Sequence, residues 1–375
     1  MRNIILVATC LACLLFSGTL VRAQNTKTIT TAVPLLLIAP DSRGGAMGDA
    51  GVAVASGANS MHWNASALGF SDSRMGFAMS YSPWLRALGI PDINLMYLSG
   101  YYNTGGTGTV GASLRYFSLG EIQFTDPNGL PTGTDNPNEF ALDVGYALRL
   151  TPVLSGAISL RYINSRLGST GNISPDGRAV NTVAGDVSFL YRKDFTLRGA
   201  AADMPIQFSS GINISNIGPK VSYTQSTVDR DFIPINLRVG YAFKFFLDDY
   251  NSITFTNDFN KLMVPSEGGR SDVPLLTGMF GSFGDAPGGF GEEISEINTS
   301  LGLEYWYRDL FAARAGFFYE DPLKGNRRFM TVGAGIKYNV FGVDFAYLVP
   351  LTTNHPLENT LRFTLTYDFE SAGNE

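Results

Sequence analysis

Residues 139–162 constrain the fold more than any other part of the chain. They read EFALDVGYALRL, then TPV, then LSGAISLRY. In the first run Phe140, Leu142, Val144, Tyr146, Leu148 and Leu150 alternate with Glu139, Ala141, Asp143, Gly145, Ala147 and Arg149. In the second, Leu154, Ile158, Leu160 and Tyr162 alternate with Ser155, Ala157, Ser159 and Arg161. A period of two puts each set on its own face of a strand. One face is apolar with tyrosines toward its ends, and the other is small or charged. Soluble sandwich strands alternate as well, but the strand length, the tight turn and the charged second face favour a transmembrane β-barrel. Its apolar face then meets lipid and its polar face a lumen.

The start of the chain has the form of an export signal. Arg2 precedes an apolar run from Ile4 to Leu20, and Val21-Arg22-Ala23 ends in a small residue suited to cleavage before Gln24. Both cysteines, Cys10 and Cys13, fall inside this segment, so the exported chain is expected to contain no thiol or disulfide. No other stretch has the roughly 18 apolar residues of a spanning helix. With 27 basic against 33 acidic residues and no basic run, nothing favours nucleic-acid binding. The localisation expected is the outer membrane of a Gram-negative cell.

Four regions follow: a signal peptide over 1–23, an N-terminal hatch over 24–74, a barrel over 75–369 and a tail over 370–375. The hatch region does not alternate. Its glycines and alanines between Gly44 and Gly57 favour tight turns and short helical pieces over strands, and Trp63, Leu68 and the apolar run 33–38 favour burial in the lumen. From Met75 onward fourteen alternating segments are placed at 75–81, 93–103, 108–117, 139–150, 154–164, 182–192, 206–214, 235–246, 252–260, 297–307, 311–320, 329–338, 341–348 and 361–369. The fold class expected is therefore all-β, a 14-stranded antiparallel barrel. Short links follow the even segments and long loops the odd ones, as in outer-membrane barrels with short periplasmic turns. The exception is the sixth segment, for which the pattern predicts a longer inner link over 193–205. Tyrosines such as Tyr116, Tyr146, Tyr162, Tyr305, Tyr319 and Tyr338 fall near strand ends, where interfacial girdles form.

The lumen face carries Arg115, Glu139, Asp143, Arg149, Arg161, Asp186, Arg192, Arg238, Lys244, Glu304, Arg314, Asp344, Arg362 and Asp368. Charges of both signs predict ion pairs with one another and with the hatch, since buried charges persist only when paired. No His/Cys cluster fits zinc, and no catalytic, cofactor or metal residues are assigned. The two histidines, His62 and His355, stand in the hatch and the last outer loop. The outer loops carry the binding candidates. A short apolar loop contains Trp84 and Leu85, and a long glycine-rich one contains Phe280, Phe283 and Phe290 before acidic Glu292, Glu293 and Glu296. Aromatic residues at a barrel mouth indicate either a protein-binding surface or loops folded over the lumen.

Three stretches, AVPLLLIAPDSRGGAMGDAGVA (32–53), SYSPWLRALGIPDINLMYLSGYYN (80–103) and SLRYFSLGEIQF (113–124), give the chain a likeness to a known family. It resembles the PorV family, the type IX secretion branch of the FadL-like outer-membrane barrels. Where the wider family has an aromatic-Asn-Pro-Ala pattern in its hatch, this chain has Trp63-Asn64-Ala65-Ser66. The resemblance implies a fourteen-stranded barrel with a hatch that performs no bond chemistry. It implies that outer loops bind the C-terminal signal domains of secreted cargo, taking cargo from a translocon channel to an attachment complex with a sortase-like peptidase. Two alternatives accompany it. One is a FadL-type transporter of hydrophobic small molecules, which needs an apolar path. The other is a lipid deacylase, which needs a cluster around His62 or His355.

Overall fold

The computed structural model describes residues 28–84, 92–167, 176–198, 203–225, 230–266, 272–351 and 360–369. The signal-peptide and tail expectations, with Leu85 and His355, lie outside them. Sixteen strands follow one another: β1 (Met75–Pro83), β2 (Ile93–Asn103), β3 (Gly108–Leu119), β4 (Ile122–Thr125), β5 (Pro131–Asp135), β6 (Asn138–Thr151), β7 (Leu154–Ser165), β8 (Val180–Leu197), β9 (Met204–Ile217), β10 (Asn236–Phe246), β11 (Asn251–Leu262), β12 (Ile297–Tyr307), β13 (Phe311–Tyr319), β14 (Arg328–Tyr338), β15 (Phe341–Pro350) and β16 (Leu361–Phe369). Fourteen of them close into one antiparallel barrel in which β1 pairs with both β2 and β16, while β4 and β5 form a separate two-stranded hairpin outside it.

The alternation has the predicted meaning. Leu160 is 75% exposed on the outer wall while its neighbour Arg161 is 3% exposed inside. Outward leucines, valines and phenylalanines of this kind recur around the ring, with Tyr116, Tyr146, Tyr162, Tyr305, Tyr319 and Tyr338 exposed among them. No helix of the described residues is long and apolar enough to cross a membrane. The apolar outer wall of a closed barrel, which leaves no backbone edge in lipid, serves instead. Even-numbered barrel strands end in short turns, which mark the periplasmic end, and the longer loops lie at the other.

One sequence expectation is corrected. Residues 193–205 are not all a link, because β8 continues to Leu197 and β9 starts at Met204, with Phe195 opposite Ile206 and Thr196 opposite Pro205. Pro205 and the Gly-Ala-Ala-Ala run at 199–202 break the alternation in the sequence, although 193–197 and 204–205 are extended. The hairpin β4–β5 inside the long loop after β3 is likewise invisible in the hydropathy pattern, because its residues are mostly polar.

Residues 28–74 fold inside the barrel as short helical pieces, including Ser42–Ala46, Ser60–Trp63 and the 3-10 turn Ala65–Phe70. With so little regular structure of its own, the hatch satisfies its backbone through barrel side chains. Asp258 accepts from the amides of Gly51 and Val52 at 2.7 and 2.8 Å, and Thr364 from that of Ser42 at 2.8 Å. Thr331 accepts from the amide of Gly48 and donates to the carbonyl of Ala46, while Ser155 donates to the carbonyl of Ser66. Asn64 holds the turn that leads into Ala65: its side-chain carbonyl accepts from the Ser66 amide and its NH2 donates to the carbonyls of Val52 and Phe189. A Cβ on wall residues Gly211, Gly302, Gly316 or Gly333 would collide with hatch atoms of Val52, Met47, Gly48 or Ala46. These glycines let the hatch backbone lie directly against the wall.

Candidate partner-binding surface at the outer mouth

The lumen is filled toward its outer end. Ala32, Val33 and Leu36 pack with Phe232, Ile233, Met263 and Met279 from the outer loops, and the Ala32 amide donates to the Phe232 carbonyl at 2.9 Å. Lower down, charged wall residues pair as the sequence predicts. Arg161 bridges Asp143 and Asp186, and Arg314 bridges Glu304 and Asp344. Arg43 of the hatch makes a two-pronged pair with Glu304 at 2.9 and 2.8 Å, and Arg362 holds Asp49 at 2.9 Å. His62 lies enclosed, its Nδ1 3.2 Å from Arg115 and its ring edge-on to Trp63. At the periplasmic end a cavity of about 530 Å³ opens, lined by Arg192, Lys244, Lys337, Glu304, Asp344 and Asp368 among others. Its wall mixes these charges with apolar side chains such as Phe70, Phe77, Trp306 and Ile336.

The loop between β11 and β12 is the most structured part of the mouth. It contains the helices Leu275–Gly281 and Phe290–Ser295. In the first, Gly278 and Met279 are buried, with Gly278 against the Phe232 ring, so Leu276 and Phe280, four residues apart, share the opposite face and are exposed. In the second, Glu293 is buried while Phe290 and Ile294, again four apart, are exposed. Two lysines fix this arrangement. Lys261 contacts Glu293 and Glu296 at 3.1 and 2.6 Å, and Lys324 contacts Glu292 and Glu296 at 2.7 and 2.9 Å. Ser266 bonds both Asp285 and Glu296. Burial alone would raise the Glu296 carboxyl. Hydrogen bonds from Lys261, Lys324 and Ser266 outweigh it and hold the group below the ordinary glutamate range. The acidic run at the loop's end is thus internal bracing.

Phe280, Phe283 and Phe290 therefore stand on one braced loop, 67%, 48% and 80% exposed. Leu276 and Ile294 join them, and their i, i+4 spacing to Phe280 and Phe290 was the signal available in the sequence. Trp84 is elsewhere, on the β1–β2 side of the ring. Its ring meets Phe117 edge-to-face at 5.5 Å and packs beside Leu35, Ile93 and Leu95, so it faces the rim's interior.

A closed fourteen-stranded barrel with an apolar outer wall and an ion-paired lumen filled by its own N-terminal segment is an integral outer-membrane protein. A family model described as "Type IX secretion system protein PorV" matches residues 21–268. The chain belongs to the PorV family and is an outer-membrane component of the type IX secretion system. No curated protein matches it. Solved structures similar to it include the toluene transporter TbuX of Ralstonia pickettii, 13% identical, covering 90% of this chain and 99% of that one with a TM-score of 0.48. The toluene transporter TodX of P. putida is 13% identical over 89% and 99% with a TM-score of 0.49. A FadL homologue of Pseudomonas aeruginosa is 11% identical over 88% and 98% with a TM-score of 0.44.

Proposed function

We propose that this barrel is a membrane-anchored carrier that grips the C-terminal signal domains of secreted proteins and moves them from the translocon channel to the surface attachment complex. The observation that carries this reading is the β11–β12 loop, which holds Leu276, Phe280, Phe283, Phe290 and Ile294 outward on a scaffold of buried ion pairs. Interfaces concentrate binding energy in a few aromatic anchors on a pre-ordered base. Phe280, Phe283 and Phe290 are the anchors in this scheme, and Trp84 contributes by packing the rim, with Leu85 next to it in sequence. The barrel performs no bond chemistry, and the filled lumen lets no cargo pass through it.

Capture of a purified signal domain by the detergent-solubilised barrel tests the reading. Phe280→Ser with Phe290→Ser should weaken capture by at least about thirtyfold, the equivalent of roughly 2 kcal/mol. Unchanged capture by a double variant that still assembles overturns the assignment. Normal secretion in a deletion strain that has lost only uptake of hydrophobic small molecules would favour the transporter alternative.

A further inference from the structure

At the periplasmic end the strands do not stop level. The last pair between β7 and β8 is Leu154 with Tyr191, after which the Arg192 amide donates to the Val153 carbonyl at 2.8 Å. β8 then runs on to Leu197, paired only with β9. Among the described residues nothing pairs with the other edge of 193–197. The remaining overhangs at this end are three residues or fewer, as where Gly108 meets Leu148 and β6 continues to Thr151. The overhang of β8 is five residues, about 16 Å at 3.3 Å each.

This edge is usable. Because Arg192 turns its amide toward β7, alternation turns the N–H and C=O of Asp194 and Thr196 the same way, giving two donors and two acceptors with no ladder partner. Thr196 lies opposite Pro205, which has no N–H to give, so the Thr196 carbonyl receives no hydrogen bond from it. Asp194 is steadied by Gln207, which donates to it at 2.8 Å. Phe195 and Leu197 are exposed on the outward face, and Leu150 beside the β6–β7 turn is exposed as well. Proteins normally cover or blunt an edge of this length. The open lane is the one β7 would fill had it begun six residues earlier, so a strand entering it would run antiparallel to β8, toward the membrane.

We propose that residues 193–197 form a strand-addition site for an extended segment of a periplasmic protein, with apolar side chains at the positions that meet Phe195 and Leu197. A second copy does not fit, because β8 runs toward the periplasm in every copy within one membrane and cannot pair antiparallel with itself. Lipid headgroups cannot supply the regular donor–acceptor register. The site lies at the opposite end of the barrel from the cargo loop and is independent of the proposed carrier role.

Hydrogen exchange tests it, comparing native outer-membrane vesicles with the purified protein in detergent. The Asp194 and Thr196 amides should exchange at least about tenfold more slowly in vesicles, and Thr196→Pro should abolish the extra protection at Asp194 without disturbing the β8–β9 pairs. A photo-crosslinker replacing Leu197 should join the chain to a periplasmic polypeptide in wild type and not with Thr196→Pro. Equal exchange in the two preparations overturns the proposal, a comparison that stands even if the proline variant fails to assemble. Protection surviving Thr196→Pro, or crosslinks only to lipid or to a second copy, overturns it too.

Discussion

Replacing Glu304 by glutamine should unlatch the hatch. Glu304 accepts from Arg43 of the hatch at 2.9 and 2.8 Å and from Arg314 of the wall at 2.6 Å. The Glu304 side chain is 2% exposed and that of Arg314 is 1% exposed, whereas Arg43 reaches the periplasmic cavity and is 23% exposed. Removing one member of a buried pair costs about 3–5 kcal/mol because the partner's charge is left without compensation. Arg314 keeps Asp344, and Arg43 keeps the Val54 carbonyl, the Ser56 hydroxyl and some water. The low end, about 3 kcal/mol, therefore applies. It corresponds to roughly a hundredfold rise in the population with a displaced hatch. Ser60 offers the reporter, being fully buried with a hydroxyl that has no hydrogen-bond partner among the described residues. Ser60→Cys, with Cys10 and Cys13 replaced, should react with a maleimide about a hundred times faster once Glu304→Gln is added. Arg43→Met with Glu304→Met should be milder than Glu304→Gln alone, since a buried pair replaced by apolar groups loses its desolvation cost along with its attraction. Unchanged labelling in Glu304→Gln, or a double variant worse than the single, refutes the latch.

The brace of the β11–β12 loop should show a broad plateau with pH. Glu296 is held below its ordinary range, so its contribution is complete above about pH 4.3 and disappears as pH falls through its lower folded value. Lys324 is opposite: burial alone would lower it, but hydrogen bonds to Glu292 and Glu296 raise it. Its contribution is complete below about pH 10.4 and fades as pH rises through its folded value. Limited proteolysis of the loop should thus be flat between about pH 5 and 10 and accelerate outside that window. Gly316→Val should cost about 1–3 kcal/mol of overpacking, because its side chain would strike the backbone at Met47 and Gly48, and a lowered urea midpoint in detergent would register it. Trp84→Ala should lower thermal stability by about 2 kcal/mol, less than for a fully buried tryptophan, while signal-domain capture stays within about threefold; a loss of capture without a loss of stability would make Trp84 a direct anchor instead.

How much of this was legible before folding depends on the range of the interactions involved. Alternation is local, so residues 139–162 alone disclose strand, lipid face and lumen face, and the same pattern repeated along the chain discloses fourteen strands. The charged lumen face follows too, because Asp143 and Arg161 occupy inward positions in adjacent strands. The aromatic candidates at 280, 283 and 290 were visible as composition. That acidic Glu292, Glu293 and Glu296 serve as internal bracing was not, since Lys261 and Lys324 approach them only once β11, β12 and β13 pair side by side. The inward turn of Trp84 depends on Phe117 and on the hatch residue Leu35, which no local pattern connects to it.

The sequence by itself determined the number of barrel strands, the sidedness of each and the placement of long loops at one end, because a period of two acts between nearest neighbours. Tertiary structure alone decided which glycines face the hatch, which cations brace the β11–β12 loop and how far β8 outruns β7. These depend on strand stagger and on groups brought together from about thirty to more than two hundred residues apart, which the pairing of strands and the packing of the hatch against the wall bring about.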